Sequence, residues 1–328
     1  MATSRNGRKP RGAARARILV LGAGVSGLSV AHELLGRGHA VTIRTRELPL
    51  DTTSAVAGAL WYPFEAGPAD KVAGWAARAY GRFLALAREG VPGLAMEALV
   101  DLRSPALEPP DWVRALEGFE PLVASECAPF AQGWRVRVPV IETPPYLTWL
   151  LDTVRARGAE LERRAVRSLE ECEGFDAVVN CTGLGARELC GDEACFPIRG
   201  QIARVPRGSV ERALIFQEAD GSFGYVIPRS RDCVLGGTAE RGVDSLEVVA
   251  RTTEEILARC RAREPRLPLR AESAAAGLRP GRHEIRLTRE CLPDGRPLVH
   301  DYGHGGCGVT LSWACAEDVL ELVDEALR

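Results

Sequence analysis

Ile18-Leu19-Val20-Leu21 is an unbroken apolar run that stops at Gly22, and apolar positions then recur at Val25, Leu28, Ala31, Leu34 and Leu35 before Gly36-Arg37-Gly38. An unbroken run is the pattern of a strand covered on both faces, and three-and-four spacing is that of a helix with one buried stripe. The pattern therefore predicts a strand, a glycine turn and a helix over 25–36 that ends at a glycine stop. A second strand follows at 40–44. Helical spacing returns at 70–90, where Trp75, Ala79, Phe83 and Leu86 share a face, at 145–158 and at 245–263. Apolar runs at 201–205, 225–228 and 233–237 predict strands of a mainly antiparallel sheet, and proline-rich stretches at 104–111 and 139–145 mark breaks.

Glycine placement adds chemistry to this pattern. Gly22-Ala23-Gly24-Val25-Ser26-Gly27 joins the first strand to the first helix in the GxGxxG form of a dinucleotide fold. Near the other end of the chain Gly303, Gly305, Gly306 and Gly308 crowd ahead of a helix-compatible run to the C-terminus. Both turns place backbone N–H groups at a helix N-terminus, which carries roughly half a positive charge and suits a phosphate or a developing anion. Two such turns point to one large cofactor held at both ends. Between them, Ala177-Val178-Val179 runs into a Thr182-Gly183 turn that lets the chain cross close to such a cofactor, and Thr52, Thr53 and Ser54 supply hydroxyls ahead of the small Gly58-Ala59 step. Glu47 best matches the acidic residue that holds a ribose at the end of the second strand; Arg44 and Arg46 beside it also fit a ribose 2′-phosphate, and the run leaves both open.

With 328 residues, 46% apolar content and a net charge of −2, the chain can bury one large core or two moderate ones, and its basic residues form no stripe. A small-molecule partner follows, with no nucleic acid, no membrane and a monomer or homodimer. Only Lys9 and Lys71 among the 42 basic residues are lysine, a bias of GC-rich bacterial genomes. The ten cysteines show no CxxC pair and no accompanying His cluster, so no metal site is expected, and buried thiols are, although a Cys190–Cys195 disulfide stays open. The arginine-rich start resembles a secretion signal, but glycine spacing accounts for the apolar run behind it; residues 1–16 are read as a frayed tail and the protein as cytoplasmic.

GAGVSGLS at 22–29, TTSAVAGALWYP at 52–63, VVNCTG at 178–183, GQI at 200–202, YVIP at 225–228, LGG at 235–237, GLRPGRHEIRL at 277–287 and HDYGHGGCG at 300–308 together resemble the D-amino acid oxidase family of flavoproteins, which also holds the D-aspartate oxidases. The resemblance implies an α/β fold. A Rossmann-like FAD-binding domain would be assembled from 17–60, 146–195 and 277–328, beside a mainly antiparallel-sheet substrate-binding domain from 61–145 and 196–276. It implies non-covalent FAD, with Gly22, Gly24, Val25, Ser26 and Gly27 at the diphosphate and Arg46 and Glu47 at the ribose. Thr52, Thr53, Ser54, Gly58, Ala59 and Leu60 would run along the diphosphate and flavin, with Val166, Thr182 and Gly183 on the middle piece. Gly303, Gly305, Gly306, Cys307, Gly308, Val309 and Thr310 would face the flavin pyrimidine.

For the substrate, the resemblance implies that Arg279, which also touches the cofactor, grips the carboxylate, that Tyr225 adds a hydroxyl, and that the Gly306 carbonyl accepts from the amine. Tyr62 and Phe64 would line the pocket. The implied reaction oxidises neutral, mostly apolar D-amino acids to imino acids, then 2-oxo acids and ammonia, by hydride transfer from Cα to flavin N5, with O2 reduced to H2O2. D-aspartate oxidases carry an arginine just after LGGT, where this chain has Ala239 and Glu240. Other departures are Phe64 for a tyrosine, Asp301 ahead of YGHGG, Ala314 for a glycine, and a short 218–224 loop. A glycine- or sarcosine-type amine oxidase would share the dinucleotide half, and a non-catalytic FAD-binding protein would need the glycine turns alone.

Overall fold

The structure, a computed structural model, describes residues 15–64 and 66–328. Of the expected tail at 1–16, residues 1–14 lie outside the described residues. Ala16 is buried and its carbonyl accepts from Ala40 N at 2.8 Å, so it extends the first strand's pairing.

The first strand, Arg17–Leu21, lies inside a six-stranded sheet ordered Arg286–Cys291, Pro297–Tyr302, Ala177–Asn180, Arg17–Leu21, Ala40–Thr45 and Glu160–Arg163. Neighbours are parallel except in the hairpin of the first two. Its apolar run is covered on both faces, as the pattern predicts. Ile18 and Val20 pack into the main core with the helices, whereas Leu19 and Leu21 face Val178, Leu292 and Leu298 on the other side. A close approach sets the first turn: Gly22 has φ +101°, and a Cβ on Gly27 would stand 2.0 Å from the Gly22 carbonyl oxygen. Only two residues without side chains let helix Val25–Arg37 start that near the strand.

That helix is layered between Thr143–Ala156 and the C-terminal helix Gly308–Ala326, which also packs on Ala69–Arg88. Gly308–Ala326 is buried on most of its circumference, and Trp313 Nε1 donates to the Tyr146 hydroxyl at 2.9 Å in the core. The helices begin and end close to the expected limits with one exception. The run expected at 245–263 becomes helical only at Ala250–Arg263. Gln201 prevents an earlier start: its amide accepts from Val249 N at 3.0 Å and donates to Val249 O at 2.8 Å, holding the preceding segment extended.

The second sheet has nine strands, mostly antiparallel, in the order Glu240–Arg241, Phe196–Pro206, Asp232–Gly236, Phe223–Pro228, Ala213–Gln217, Leu94–Arg103, Gln132–Ile141 and Glu120–Pro121, with Ser273–Gly281 paired to Phe196–Pro206. The break expected at 139–145 falls partly inside Gln132–Ile141, where the Pro139 carbonyl still accepts from Trp61 N at 2.8 Å. The domain boundary expected at 277 cuts through Ser273–Gly281, which pairs along its whole length in this larger sheet. Arg279 therefore stands on the second sheet.

The Cys190–Cys195 pairing left open by the sequence is not made. Asn180 Nδ2 donates to Cys190 Sγ, and Cys195 Sγ faces the Gly183 carbonyl. Between these thiols Asp192 ties the loop to the C-terminal hairpin, accepting from Tyr302 OH at 2.8 Å, Arg282 Nε at 3.2 Å and Arg286 Nη1 at 3.3 Å. Burial alone would raise its carboxyl, but Tyr302 and Arg282 outweigh burial and hold it below the usual aspartate range. A lowered folded value stabilises the fold above the unfolded value of about 3.9, and that contribution is lost as pH falls through the folded value. Asp192→Asn is expected to lower stability at pH 7, with the difference shrinking as pH falls below about 4 and vanishing only below the folded value. Urea denaturation across this range checks it; a pH-independent difference contradicts it.

Candidate active site

Between the two sheets lies a cleft of ≈ 1460 Å³. At one end Gly22, Gly24, Val25 and Ser26 line it as the N-terminus of Val25–Arg37, and Ser54 Oγ accepts from Val25 N at 3.0 Å, so the hydroxyl segment is fastened to that helix start. Arg46, Glu47, Val166, Thr182 and Gly183 line the same end. Arg46 is exposed and pairs with Glu47 at 2.9 Å. Arg44 is already engaged: Nε donates to Glu162 at 2.6 Å, Nη1 to the Glu171 carbonyl, and the guanidinium lies 5.2 Å from the Phe175 ring centroid. The alternative use of Arg44 for a 2′-phosphate thus competes with three existing partners.

Along the cleft, Thr52, Thr53, Ser54, Gly58, Ala59 and Leu60 form one wall, and Thr53 Oγ1 donates to the Leu278 carbonyl at 3.2 Å. Ala59 sits at φ 41°, a strained position for a residue with a side chain. Opposite, Gly305, Gly306, Gly308, Val309 and Thr310 bring the start of Gly308–Ala326 to the cavity. Gly27, Gly303 and Cys307 do not line it. Gly27 is consumed by the strand contact, and a Cβ on Gly303 would meet Arg282 at 2.8 Å. Cys307 is buried behind the loop, where its Sγ accepts from Phe64 N at 3.0 Å and donates to Phe64 O at 2.8 Å. Beneath the same loop His304 Nε2 lies 3.2 Å from Asp301 Oδ1, and with Cys315 their ligand atoms fall within 4.8 Å, a buried grouping that residue spacing does not reveal.

Tyr225 and Arg279 meet on the face of the second sheet that looks into the cleft, close enough for the guanidinium to act on the phenol. Both lie flat across glycines on neighbouring strands. A Cβ on Gly236, directly opposite Tyr225, would stand 2.1 Å from its hydroxyl; one on Gly200 would stand 2.3 Å from Arg279 Nη1. Burial pushes the Tyr225 phenol above its ordinary value while Arg279 pulls it down, so the hydroxyl stays protonated and able to donate at neutral pH. Arg279 donates to the Thr238 carbonyl at 3.2 Å and, among the described residues, makes no ion pair. A cavity-lining guanidinium without a protein carboxylate, beside a phenol, can take the carboxylate of a ligand in a bidentate grip. Gly306 adjoins them, since a Cβ there would lie 4.0 Å from Arg279 Cδ and 3.9 Å from Phe64.

Tyr62, expected at the pocket, reaches the cleft together with Arg103 and Gln217, which the sequence pattern did not mark, with Asp101 buried behind them. Tyr62 OH donates to Asp101 Oδ2 at 2.6 Å, and Arg103 binds Asp101, Tyr62 and Gln217. Burial raises the Asp101 carboxyl against the pull of Arg103 and Tyr62. Asp101 and Arg103 lie two apart on one strand, a spacing that shares a face, but the Gln217 strand comes from more than a hundred residues away.

Residues 17–322 match the family described as FAD dependent oxidoreductase. The chain belongs to that family. Similar relatives include the D-amino-acid oxidase of Rubrobacter xylanophilus, 49% identical over 97% of this chain and 98% of that one, the D-amino-acid oxidase of Streptomyces coelicolor, 40% identical over 93% and 96%, and the D-aspartate oxidase of Homo sapiens, 36% identical over 95% and 96%. Among solved structures, glycine oxidase from Geobacillus kaustophilus superposes with a TM-score of 0.79 over 94% of this chain and 95% of that chain, at 20% identity, which shows a common fold. The cleft fits the family's cofactor: glycines Gly22, Gly24, Gly58 and Gly306 bare the backbone along it, and a helix N-terminus opens onto each end.

Gly236→Ala is expected to push the Tyr225 ring aside while leaving flavin content unchanged. Losing a hydrogen bond to a charged group costs about 1.5–3 kcal/mol, so carboxylate ligands should bind roughly ten- to a hundredfold more weakly. Titration of the bound-flavin absorbance with such ligands checks this, and unchanged affinity would mean that Tyr225 does not contact them.

Proposed function

We propose that this chain is an FAD-dependent oxidase of D-amino acids, releasing imino acids that hydrolyse to 2-oxo acids and ammonia. The observation that carries the proposal is Arg279, which lines the cleft without a carboxylate partner among the described residues and lies beside Tyr225. The two relatives named D-amino-acid oxidase, similar over nearly the whole chain, support the same reading.

In this reading Arg279 offers two parallel donors to the substrate carboxylate and Tyr225 a third, fixing one end of the amino acid. The Gly306 carbonyl accepts from the amine, which orients Cα toward the cofactor. Phe64 and Phe223, whose ring centroids are 6.0 Å apart, set two apolar rings at the substrate side of the cleft. FAD, when bound, takes up the hydrogen and electron pair released at Cα and delivers the electrons to O2 as hydrogen peroxide. The N-terminus of Gly308–Ala326 favours negative charge on a group held above Gly305–Thr310. No protein general base is assigned a role.

A D-aspartate preference would need a buried cation for the side chain. After LGGT, Ala239 is small and uncharged, Glu240 is paired with Arg199 at 2.8 Å, and Arg241 is exposed over the Phe196 ring. Neutral side chains are therefore proposed as the preferred class, with the reduced thiols Cys172, Cys181 and Cys315 in keeping with work in the cytoplasm. The resemblance to glycine oxidases is one of fold and gives no ground for glycine as substrate.

Oxygen consumption across D- and L-amino acids, glycine and sarcosine tests the proposal: D-alanine, D-valine and D-methionine should be turned over, D-aspartate far less, and L-enantiomers not. Glycine or sarcosine as the best substrate would refute it. Arg279→Leu should lower kcat/KM by about two orders of magnitude or more with flavin still bound. Arg279→Lys should regain binding but little orientation, because an ammonium is a point charge. Near-native kinetics in Arg279→Leu would move the carboxylate site elsewhere.

A further inference from the structure

Tyr225 stands opposite Ile215 and Phe223 opposite Gln217, and Gln217 in turn stands opposite Arg103 on the next strand. Side chains at alternate positions share a face, so Gln217 lies one such step, about 7 Å, along the sheet from the position facing Tyr225. That is the direction and reach of an amino acid side chain whose carboxylate is held at Tyr225 and Arg279.

The hydrogen-bond valences at this corner can be followed atom by atom. A guanidinium has only donors. Arg103 gives Nε–H to Asp101 Oδ1 at 2.6 Å, Nη2–H groups to Asp101 Oδ2 at 3.0 Å and Tyr62 OH at 2.8 Å, and one Nη1–H to Gln217 Oε1 at 2.8 Å. Its second Nη1–H is left over among the described residues. Because arginine accepts nothing, Gln217 must turn its amide oxygen to Arg103, which leaves both N–H groups of its Nε2 without a partner among the described residues. The Tyr62 hydrogen is taken by Asp101. Asp101 is wholly buried and its charge balances that of Arg103. The corner thus offers the cleft donors and no net charge, beside the apolar Ile215, Phe64 and Phe223.

We infer that Gln217, oriented by Arg103, selects the distal end of the substrate side chain, favouring a neutral D-amino acid with a hydrogen-bond acceptor at the δ position, such as D-glutamine, over an apolar side chain of the same shape. An apolar end covers these partly exposed donors without pairing them, a strong form of discrimination for a polar site. An anionic end gains little, since Arg103 is already neutralised by Asp101. The inference rests on the D-amino acid oxidase reading.

The test compares kcat/KM for D-glutamine and its apolar isostere D-homoleucine in the holoenzyme, in Gln217→Leu and in Gln217→Glu, with flavin content read by absorbance. In Gln217→Leu the D-glutamine to D-homoleucine ratio should fall at least tenfold, mainly through KM. Gln217→Glu keeps an acceptor for Arg103 but presents a carboxylate, so D-ornithine should gain at least tenfold relative to D-glutamine, a gain that a damaged pocket does not produce. Should Gln217→Leu lose its flavin, the Gln217→Glu result decides. Ratios within twofold of wild type in the variants overturn the inference while D-alanine turnover leaves the oxidase reading standing. Absence of turnover with every D-amino acid, D-alanine included, overturns that reading itself.

Discussion

Backbone and side chains around the cleft approach one another where a single methyl group would not fit. Gly27 packs on the Gly22 carbonyl, Gly236 lies under the Tyr225 hydroxyl and Gly200 under the Arg279 guanidinium, each with room for a hydrogen and nothing more. The first contact seats a helix N-terminus at one end of the cleft. The other two let long polar side chains lie flat on a sheet and direct their donors along it. Close packing resists such crowding strongly enough that these positions tolerate no ordinary residue without a shift.

Electrostatics follows from that geometry. Most arginines near the cleft are spent on partners within the protein: Arg44 on Glu162, Arg199 on Glu240, Arg103 on Asp101 and Arg282 on Asp192. Arg279, like Arg167 and Arg241 on the same lining, makes no ion pair among the described residues, and what sets it apart is its position beside Tyr225. Abundance of arginine in the sequence therefore says little about binding, while the partner each one finds says a great deal.

The two sheets contribute different things. Parallel strands with short glycine turns hold the helix ends, whereas the antiparallel sheet presents a flat wall of alternate side chains from Arg103 through Gln217 and Ile215 to Tyr225. The glycine loop and the helix start after it are joined to that wall through Tyr62, whose carbonyl accepts from Cys307 Sγ, whose backbone is bonded to Thr310 and whose hydroxyl is bonded to Asp101. A displacement of the loop would therefore be felt at the side-chain end of the cleft.

Periodicity and glycine spacing were enough to place the first strand, the glycine turn, helix Val25–Arg37 and the long helices, because those patterns answer to local backbone geometry and to a single buried face. The family resemblance named Tyr225 and Arg279, and the fold brings the two side by side in the cleft. The start of Ala250–Arg263 was not legible, since Gln201 from a distant strand holds the residues before it extended. Nor was the membership of Ser273–Gly281 in the larger sheet, or the burial of Cys307 behind the loop it was expected to line the cleft with. The Asp101–Arg103–Gln217–Tyr62 group is the plainest case: the family resemblance named Tyr62, but nothing in the sequence joined it to Asp101, Arg103 and Gln217. Hydrogen bonding across strands far apart in the chain gives them one shared orientation, and only the folded arrangement decides which donors remain for a ligand.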